Sequence, residues 1–179
     1  MSRTSSGGSA LAVTVALGAS LVAAAPVEAT APEPALATAS TASSTSVTKV
    51  ATSRATEQKE RAANAVSYAS KQIGDRYRFG GSGPDSWDCS GLAGGAWRKA
   101  GVRLPRTSQQ IYRAVKKKVT WREAAQGDLL FFYGGRPHVG IYAGRGFMIH
   151  APGSGRRVMK TKLNGYYKRH FNGAVRPGS

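Results

Sequence analysis

The feature that most constrains the fold is a change of hydrophobic spacing at about residue 126. Before it, apolar residues recur at the three- and four-residue intervals of an amphipathic helix, at Ala62, Ala65, Val66, Ala69 and Ile73. After it come short β-branched and aromatic runs separated by Gly and Pro, as in GDLLFFY (127–133) and HVGIYAG (138–144). Helices followed by strands predict an α+β domain whose amino-terminal helices pack on a largely antiparallel β-sheet.

The same patterns predict the individual elements. The first helix is expected from about residue 56 to Gly74, the second over residues 89–100, and the third over residues 107–115, with Thr107 or Ser108 as its cap. Strands are expected at residues 127–133, 138–144, 146–152, 157–163 and 172–178.

The amino-terminal part has the composition of an export signal followed by a linker. The short apolar run ALAVTVALGASLVAAA (10–25) precedes VEA, whose small residues end at Ala29, so we expect a signal peptide at residues 1–29. An unprocessed Ala-rich leader is the alternative. Residues 30–55 are rich in Ala, Thr and Ser without hydrophobic periodicity, which indicates a flexible linker. The folded domain is therefore expected at residues 56–179 of a secreted protein.

The chain is strongly basic, with 26 Lys and Arg against 9 Asp and Glu and a net charge of +17. Such a domain is attracted to nucleic acid, anionic lipid or an acidic cell wall, and charge alone does not choose among them. A secreted, non-catalytic protein that binds wall polymer or nucleic acid is therefore one interpretation. Because no recognised nucleic-acid-binding module occurs in the sequence, we expect no nucleic-acid partner.

Cys89 is the only cysteine, and it follows Asp88 at the start of the second predicted helix. An exported protein has little use for an idle thiol that no second cysteine can pair. A thiol becomes a nucleophile when it ionises, which a helix amino terminus and a nearby imidazole both favour. The chain offers three histidines for this purpose, His138, His150 and His170.

Two of these histidines fall on one predicted hairpin, where His138 begins a strand and His150 ends the next. Directly paired residues share a face of the sheet. A three-residue turn at 143–145 would pair the two histidines. A two-residue turn would place them on opposite faces unless a β-bulge restored the phase. If both act at one site, the loop therefore needs an odd number of residues or a bulge.

These residues suggest a catalytic arrangement. Cys89 would be the nucleophile, His138 the general base, and His150 the group that orients the first imidazole. The first N–H groups of the helix, including that of Cys89, would bind the developing oxyanion. A zinc site built from the same cysteine and histidines is the rival use, although no close-spaced ligand pair is present. We expect neither a metal nor a cofactor.

Six short motifs occur in a fixed order along the chain: YRFGG (77–81), DCSGL (88–92), LPRTS (104–108), GDLLFF (127–132), HVGIY (138–142) and FMIHAP (147–152). Together they resemble the NlpC family of bacterial cell-wall cysteine peptidases over about residues 60–165. Three features depart from the family pattern. Phe79 replaces a tryptophan, Gln126 replaces a proline, and Gly94 and Gly95 interrupt the helix that begins at Cys89.

The resemblance implies a papain-like fold and cleavage of peptidoglycan stem peptides, usually between γ-D-glutamate and the diamino acid, through a thioester acyl-enzyme. It implies the same catalytic residues, Cys89, His138 and His150. It also places Tyr77 near the oxyanion, and further residues in the pocket for the substrate's amino end and D-glutamate: Asp88, Ser90 and Arg106.

Two further expectations follow from the resemblance. An N-acetylmuramoyl-L-alanine amidase that cuts the sugar–peptide link with the same residues is the alternative enzyme. In either case peptidoglycan would be the partner of a secreted, wall-associated monomer that does not insert into the membrane after signal cleavage. The high positive charge would help to hold such a protein on an anionic wall.

Overall fold

The computed structural model describes the backbone of residues 42–179 and the side chains from residue 50 onward. The predicted signal peptide, its cleavage point after Ala29 and the first part of the predicted linker lie outside the described residues. None of the helices in residues 42–179 combines the length and the apolar character needed to cross a membrane.

The first helix, α1 (Ala42–Lys71), begins well before residue 56. The prediction of a flexible linker is therefore wrong for residues 42–55, which are helical. The sequence between Pro34 and Gly74 contains neither Gly nor Pro, and Ala is the strongest helix former. Once the packed end of a helix has formed, each added residue costs little, so the helix extends into exposed sequence.

Packing of α1 follows its predicted apolar stripe, except at the last position. Ala62, Ala65, Val66 and Ala69 are buried in the core, whereas Ile73 is 45% exposed. The helix ends at Lys71, and Gly74 adopts a φ of 102°, which glycine tolerates better than any other residue. The predicted stop at Gly74 is therefore close to the observed one.

Helices α2 (Cys89–Lys99) and α3 (Ser108–Ala114) confirm the second and third predicted helices. Asp88 caps α2 by accepting a hydrogen bond from the Gly91 N–H. Thr107 caps α3 in a reciprocal capping box with Gln110, which satisfies two exposed N–H groups at once.

The bounds of the remaining elements are β1 Arg76–Tyr77, β2 Ser86–Trp87, β3 Lys118–Val119, β4 Leu129–Phe132, β5 His138–Gly144, β6 Phe147–His150, β7 Met159–Lys162, α4 Gly165–His170 and β8 Phe171–Val175. All five predicted strands are present in a six-stranded antiparallel sheet of order β3-β8-β4-β5-β6-β7. The two-stranded parallel sheet of β1 and β2, the short strand β3 and the helix α4 were not predicted, because elements this short carry little periodicity.

The sheet is buried on both faces, and β4 shows this most clearly. Leu129 and Phe131 join the larger core, which contains the buried residues of α1 and α2. Leu130 and Phe132 join a smaller core on the opposite face. Because β4 is covered on both sides, it is a continuous apolar run rather than an alternating one.

The hairpin of β5 and β6 fixes the relation between the two histidines. Ile141 pairs with Ile149, and the register then shifts at a bulge before a two-residue turn at 145–146. Positive φ angles at both turn residues suit the twist of a hairpin. Continuing this register sets His150 beside Gly140, so of the two expected solutions the structure has the bulge and not the three-residue turn that would pair His150 directly with His138. The predicted common face is confirmed, because the bulge restores the phase.

Candidate active site

Cys89 lies at the first residue of α2, beside the beginning of β5. Its Sγ is 3.7 Å from the carbonyl oxygen of Pro137, the residue that directly precedes His138. Asp88 caps the first turn of α2. Packing of α2 against β5 then brings the start of the helix next to the start of the strand. The thiol therefore lies next to the predicted base.

The two predicted histidines form a hydrogen-bonded pair. Nε2 of His138 lies 2.8 Å from Nδ1 of His150, and Nε2 of His150 lies 3.0 Å from Oγ1 of Thr161 on β7. Because His138 uses Nε2 for this contact, its Nδ1 is the ring nitrogen that remains for the thiol. Sequence reasoning missed Thr161. Its contact with His150 depends on the register of β6 against β7, in which Thr161 pairs with Met148, two residues before His150 and on the same face of the sheet.

Burial keeps the catalytic candidates uncharged at neutral pH. Desolvation lowers the pKa of His138 to about 4. Desolvation, together with the charges of His138 and Arg156, lowers the pKa of His150 to about 3. Burial also raises the pKa of the Cys89 thiol, an effect that Asp88 reinforces and the Val139 backbone opposes. The resting site therefore holds a neutral thiol and neutral imidazoles.

Asp88, the residue directly before Cys89, is the centre of a cluster of polar side chains and backbone N–H groups. Its Oδ1 accepts hydrogen bonds from the Gly91 N–H at 2.7 Å, from Arg106 at 3.0 Å and from the Ser90 hydroxyl at 3.2 Å. Its Oδ2 accepts from the Gly80 N–H at 3.0 Å and from Arg106 in a second contact. Burial alone would raise the pKa of Asp88, but these hydrogen bonds, chiefly those from Arg106, lower it.

Tyr77 lines the surface next to the histidine pair and also the surface next to the Asp88 cluster. It ends β1, and its N–H donates to the Arg156 carbonyl oxygen at 3.0 Å. Burial raises the pKa of its hydroxyl, and the neighbouring Cys89 and Asp88 raise it further. Tyr77 is therefore protonated at neutral pH and can donate a hydrogen bond.

Two cavities meet at Cys89, and Tyr77 and Pro137 line both. The first, called here the Asp88 cavity, has a volume of about 470 Å³ and includes Asp88, Ser90 and Arg106. The second, called the His138 cavity, has a volume of about 530 Å³ and includes His138 and His150. It is also lined by Ser154, Arg156, Tyr133, Tyr166 and Tyr167. All seven site residues named from the sequence thus line one cavity or both.

The third histidine and the rival zinc site complete the comparison with the sequence. The half-buried His170 on α4 has its Nδ1 2.9 Å from the Tyr166 carbonyl oxygen and does not line either cavity. Within residues 42–179, no three His, Cys, Asp or Glu side chains converge as a metal site requires.

Comparison with known proteins identifies the family of the chain. The model of the NlpC/P60 family matches residues 74–176, more than half of the sequence. This chain belongs to the NlpC/P60 family. The resemblance drawn from the motifs is therefore confirmed.

Relatives of this NlpC/P60 chain include cell-wall enzymes with different names. It is 44% identical over 109 residues to the bifunctional muramidase/DL-endopeptidase CwlT of Bacillus subtilis, covering 58% of this chain and 32% of CwlT. It is 40% identical over 114 residues to the murein DD-endopeptidase MepH of Escherichia coli, covering 59% of this chain and 42% of MepH. The chain thus spans less than half the length of either relative.

The fold is shared with solved structures. The peptidoglycan hydrolase RipB of Mycobacterium tuberculosis superposes with a TM-score of 0.59 at 29% identity, over 68% of this chain and 66% of that one. The predicted papain-like α+β fold is therefore confirmed.

The glycines of α2 have different causes: Gly91 belongs to the DCSGL motif, whereas Gly94 and Gly95 are the departure from the NlpC/P60 pattern. A Cβ on Gly95 would lie 2.6 Å from the Trp87 ring, and one on Gly91 would lie 2.0 Å from the Gly81 carbonyl oxygen. These two glycines let the helix pack closely against the segment that carries Asp88. Gly94 has open space around its Cβ position, and nothing in the structure explains it.

Proposed function

We propose that this protein is a peptidoglycan hydrolase, a cysteine endopeptidase that cuts the stem peptide between γ-D-glutamate and the diamino acid. The observation that carries the proposal is the meeting of a lone thiol, a hydrogen-bonded histidine pair and a buried carboxylate–arginine cluster at one groove. The names of its relatives support the reaction class but not one bond, since CwlT is named a DL-endopeptidase and MepH a DD-endopeptidase.

The choice of bond rests on the Asp88 cavity. A carboxylate one residue from the nucleophile can meet an ammonium group that is close to the scissile carbonyl, and a guanidinium can meet a carboxylate. The fragment L-Ala-γ-D-Glu carries both groups within one residue of the carbonyl once it is free of the sugar. In the intact wall the L-alanine nitrogen is an amide, and its N–H would be the donor to Asp88 instead. Asp88, Ser90 and Arg106 would therefore hold this acyl half of the substrate.

The reaction proceeds through a thioester. Nδ1 of His138 takes the Cys89 proton as sulfur attacks the γ-carbonyl carbon of D-glutamate. The C–N bond then breaks, and the same imidazole gives its proton to the leaving amine. Water next loses a proton to His138 and attacks the thioester carbon, the C–S bond breaks, and the thiolate regains its proton. General base catalysis of this kind contributes about 10²- to 10⁴-fold in rate.

One arrangement of ring protons fits these roles. If Nδ1 of His138 accepts the thiol proton, its Nε2–H must donate to Nδ1 of His150, and the Nε2–H of His150 must then donate to Thr161. His150 and Thr161 would thus hold the base in its working tautomer. The Cys89 N–H at the helix start and the Tyr77 hydroxyl would stabilise the oxyanion.

We also propose that the protein acts in the cell wall after export. The support is the predicted signal peptide and the net charge of +17, which attracts the protein to anionic wall polymers. Wall binding that weakens steeply with salt is the expected result. Retention that is unchanged at high salt would contradict an electrostatic mechanism.

The test is a digest of purified peptidoglycan by the full chain, with Cys89→Ala as the matched inactive variant and mass spectrometry as the readout. We expect the wild type to release fragments that end at D-glutamate and the variant to release none. Cleavage between the sugar and L-alanine would instead establish an amidase. Equal binding of both proteins to the wall without any cleavage would favour a non-catalytic wall-binding protein.

A further inference from the structure

We propose that Arg156 forms a subsite for the side-chain carboxylate of the leaving diamino acid, so that the enzyme prefers diaminopimelate to lysine in the stem peptide. The inference rests on the proposed function and adds the class of substrate. It depends on which cavity receives the leaving half, on the charge of that cavity, and on the freedom of the Arg156 guanidinium.

The leaving half must lie on the side of the general acid. His138 can protonate the departing nitrogen only if that nitrogen is within hydrogen-bond reach of its ring. The Asp88 cavity shares Cys89 with the His138 cavity but is lined by neither histidine, and it takes the acyl half. The diamino acid is therefore placed in the His138 cavity, which also contains Arg156.

The charge of this cavity comes from one side chain. Among the described residues that line it there is no carboxylate, and burial keeps His138 and His150 neutral near pH 7. Arg156 is then the formal charge that a substrate meets. Its field reaches the catalytic pair, since it contributes to the lowered pKa of His150.

The guanidinium of Arg156 is available, while its backbone is held in place. Its N–H donates to the Gly153 carbonyl oxygen at 3.1 Å, and its carbonyl oxygen accepts from the Tyr77 N–H at 3.0 Å. The ion pairs in the described part of the chain join Arg61, Arg106 and Arg176 to carboxylates, and none includes Arg156. An anchored loop therefore presents an unpaired cation.

The two common types of diamino acid differ in the group that would reach this cation. The side chain of meso-diaminopimelate ends in a carboxylate and an amine, whereas that of lysine ends in an ammonium group alone. A guanidinium binds a carboxylate with two parallel hydrogen bonds and repels an ammonium group. The hydroxyls of Ser154 and Tyr166, which line the same cavity, offer further donors to a carboxylate.

A second carboxylate could reach Arg156, namely the α-carboxylate of the diamino acid when it ends the peptide. The test therefore uses tetrapeptides L-Ala-γ-D-Glu-X-D-Ala, in which that group is an amide. X is meso-diaminopimelate, its side-chain amide, or L-lysine. Tripeptides that end at X form the second series and report the effect of a free α-carboxylate.

The variants are Arg156→Gln, Arg156→Lys and, as the matched control, Arg145→Gln in the β5–β6 turn. We expect wild type to favour the diaminopimelate tetrapeptide over the other two by roughly 10- to 100-fold in kcat/KM, the range of a charged hydrogen bond. Arg156→Gln should bring the three values together, and Arg156→Lys should restore part of the preference. Arg145→Gln should keep the wild-type ratio.

Three results would overturn the inference. They are equal wild-type rates on the three tetrapeptides, an equal loss on all three in Arg156→Gln, and a preference that appears only in the tripeptide series. If wild type cleaves none of the peptides, the proposed function fails, and binding of the diaminopimelate tetrapeptide, compared with its side-chain amide, to Cys89→Ala then decides the subsite. Binding that Arg156→Gln abolishes in that background supports the subsite, and unchanged or undetectable binding overturns it.

Discussion

The Asp88 cavity and the His138 cavity share one thiol but are built in opposite ways. In the first, a carboxylate side chain that is only 10% exposed is paired with a guanidinium that is 43% exposed. In the second, burial keeps two imidazoles neutral and an unpaired arginine stands at the rim. The comparison indicates that the two cavities have different roles. The paired charges of the Asp88 cavity bind the acyl half of the substrate, and the uncharged imidazoles of the His138 cavity transfer the protons.

The largest expected effect separates the two histidines of the His138 cavity. His138→Gln removes the proton acceptor, so hydrolysis should fall by about 10³- to 10⁴-fold. His150→Gln leaves that acceptor in place and disturbs its orientation, so its loss should be roughly 10- to 100-fold smaller than that of His138→Gln. Steady-state kinetics on a stem tetrapeptide measure both. Equal losses in the two variants would contradict an orienting role for His150.

The next effect isolates the Asp88 cavity. Arg106→Gln leaves the buried Asp88 carboxylate without its main partner, and hydrolysis should fall by at least tenfold. Removing one member of a buried ion pair costs about 3–5 kcal/mol, and partial exposure of Arg106 reduces this to about 1–3 kcal/mol. A thermal melt should show Tm lower by several degrees. Arg156→Gln is the matched control, since its unpaired guanidinium should leave Tm unchanged.

The pH dependence of stability tests the neutral histidines. Unfolded histidine titrates near 6.5, while His138 and His150 titrate at about 4 and about 3 in the fold. Between these values the unfolded chain binds protons that the folded chain does not, so stability must fall as the pH falls. We expect the free energy of unfolding to drop by about 2 kcal/mol or more between pH 6.5 and 4.5.

The variant for this measurement is His138→Gln, which should weaken the pH dependence, because only the buried His150 is then left to contribute to it. Asp88, whose pKa is lowered, adds a loss of stability in the same direction at more acidic pH. A wild-type free energy of unfolding that is constant from pH 6.5 to 4.5 would contradict buried neutral imidazoles.

The smallest effect tests the support of the Asp88 cavity by α2. Gly95→Ala would push a Cβ into the Trp87 ring next to Asp88, with an expected loss of about 1–2 kcal/mol of stability. Gly94→Ala meets open space in the same helix and should gain up to about 1 kcal/mol. Denaturant unfolding measures both. Changes of the same sign would show that helix propensity, rather than contact with Trp87, governs these positions.

The sequence predicted the parts of the fold that local pattern controls. The helix from Cys89 and the strands at His138 and His150 each have a local signal, and the structure contains them. Thr161 and the exact register of the β5–β6 hairpin depend on how strands align, which a bulge decides. Arg156 reaches the site through the loop between β6 and β7, a long-range placement without a local signature.

The start of α1 shows a different limit of sequence reasoning. Residues 42–55 lack hydrophobic periodicity, and the side chains of residues 50–55 are exposed, so the sequence suggested a linker. Helix extension from a packed end requires no apolar stripe, only the absence of Gly and Pro. The hydrophobic pattern therefore reports which part of a helix is packed rather than where the helix begins.

The central claim is that Cys89 carries the acyl half of the substrate as a thioester. Its most direct test is cleavage of L-Ala-γ-D-Glu-meso-diaminopimelate in the presence of hydroxylamine, with mass spectrometry of the products. We predict the hydroxamate of L-Ala-γ-D-Glu together with free diaminopimelate from the wild type, and neither product from Cys89→Ala. Cleavage that yields only the free acid in concentrated hydroxylamine, or that persists in Cys89→Ala, would contradict the account.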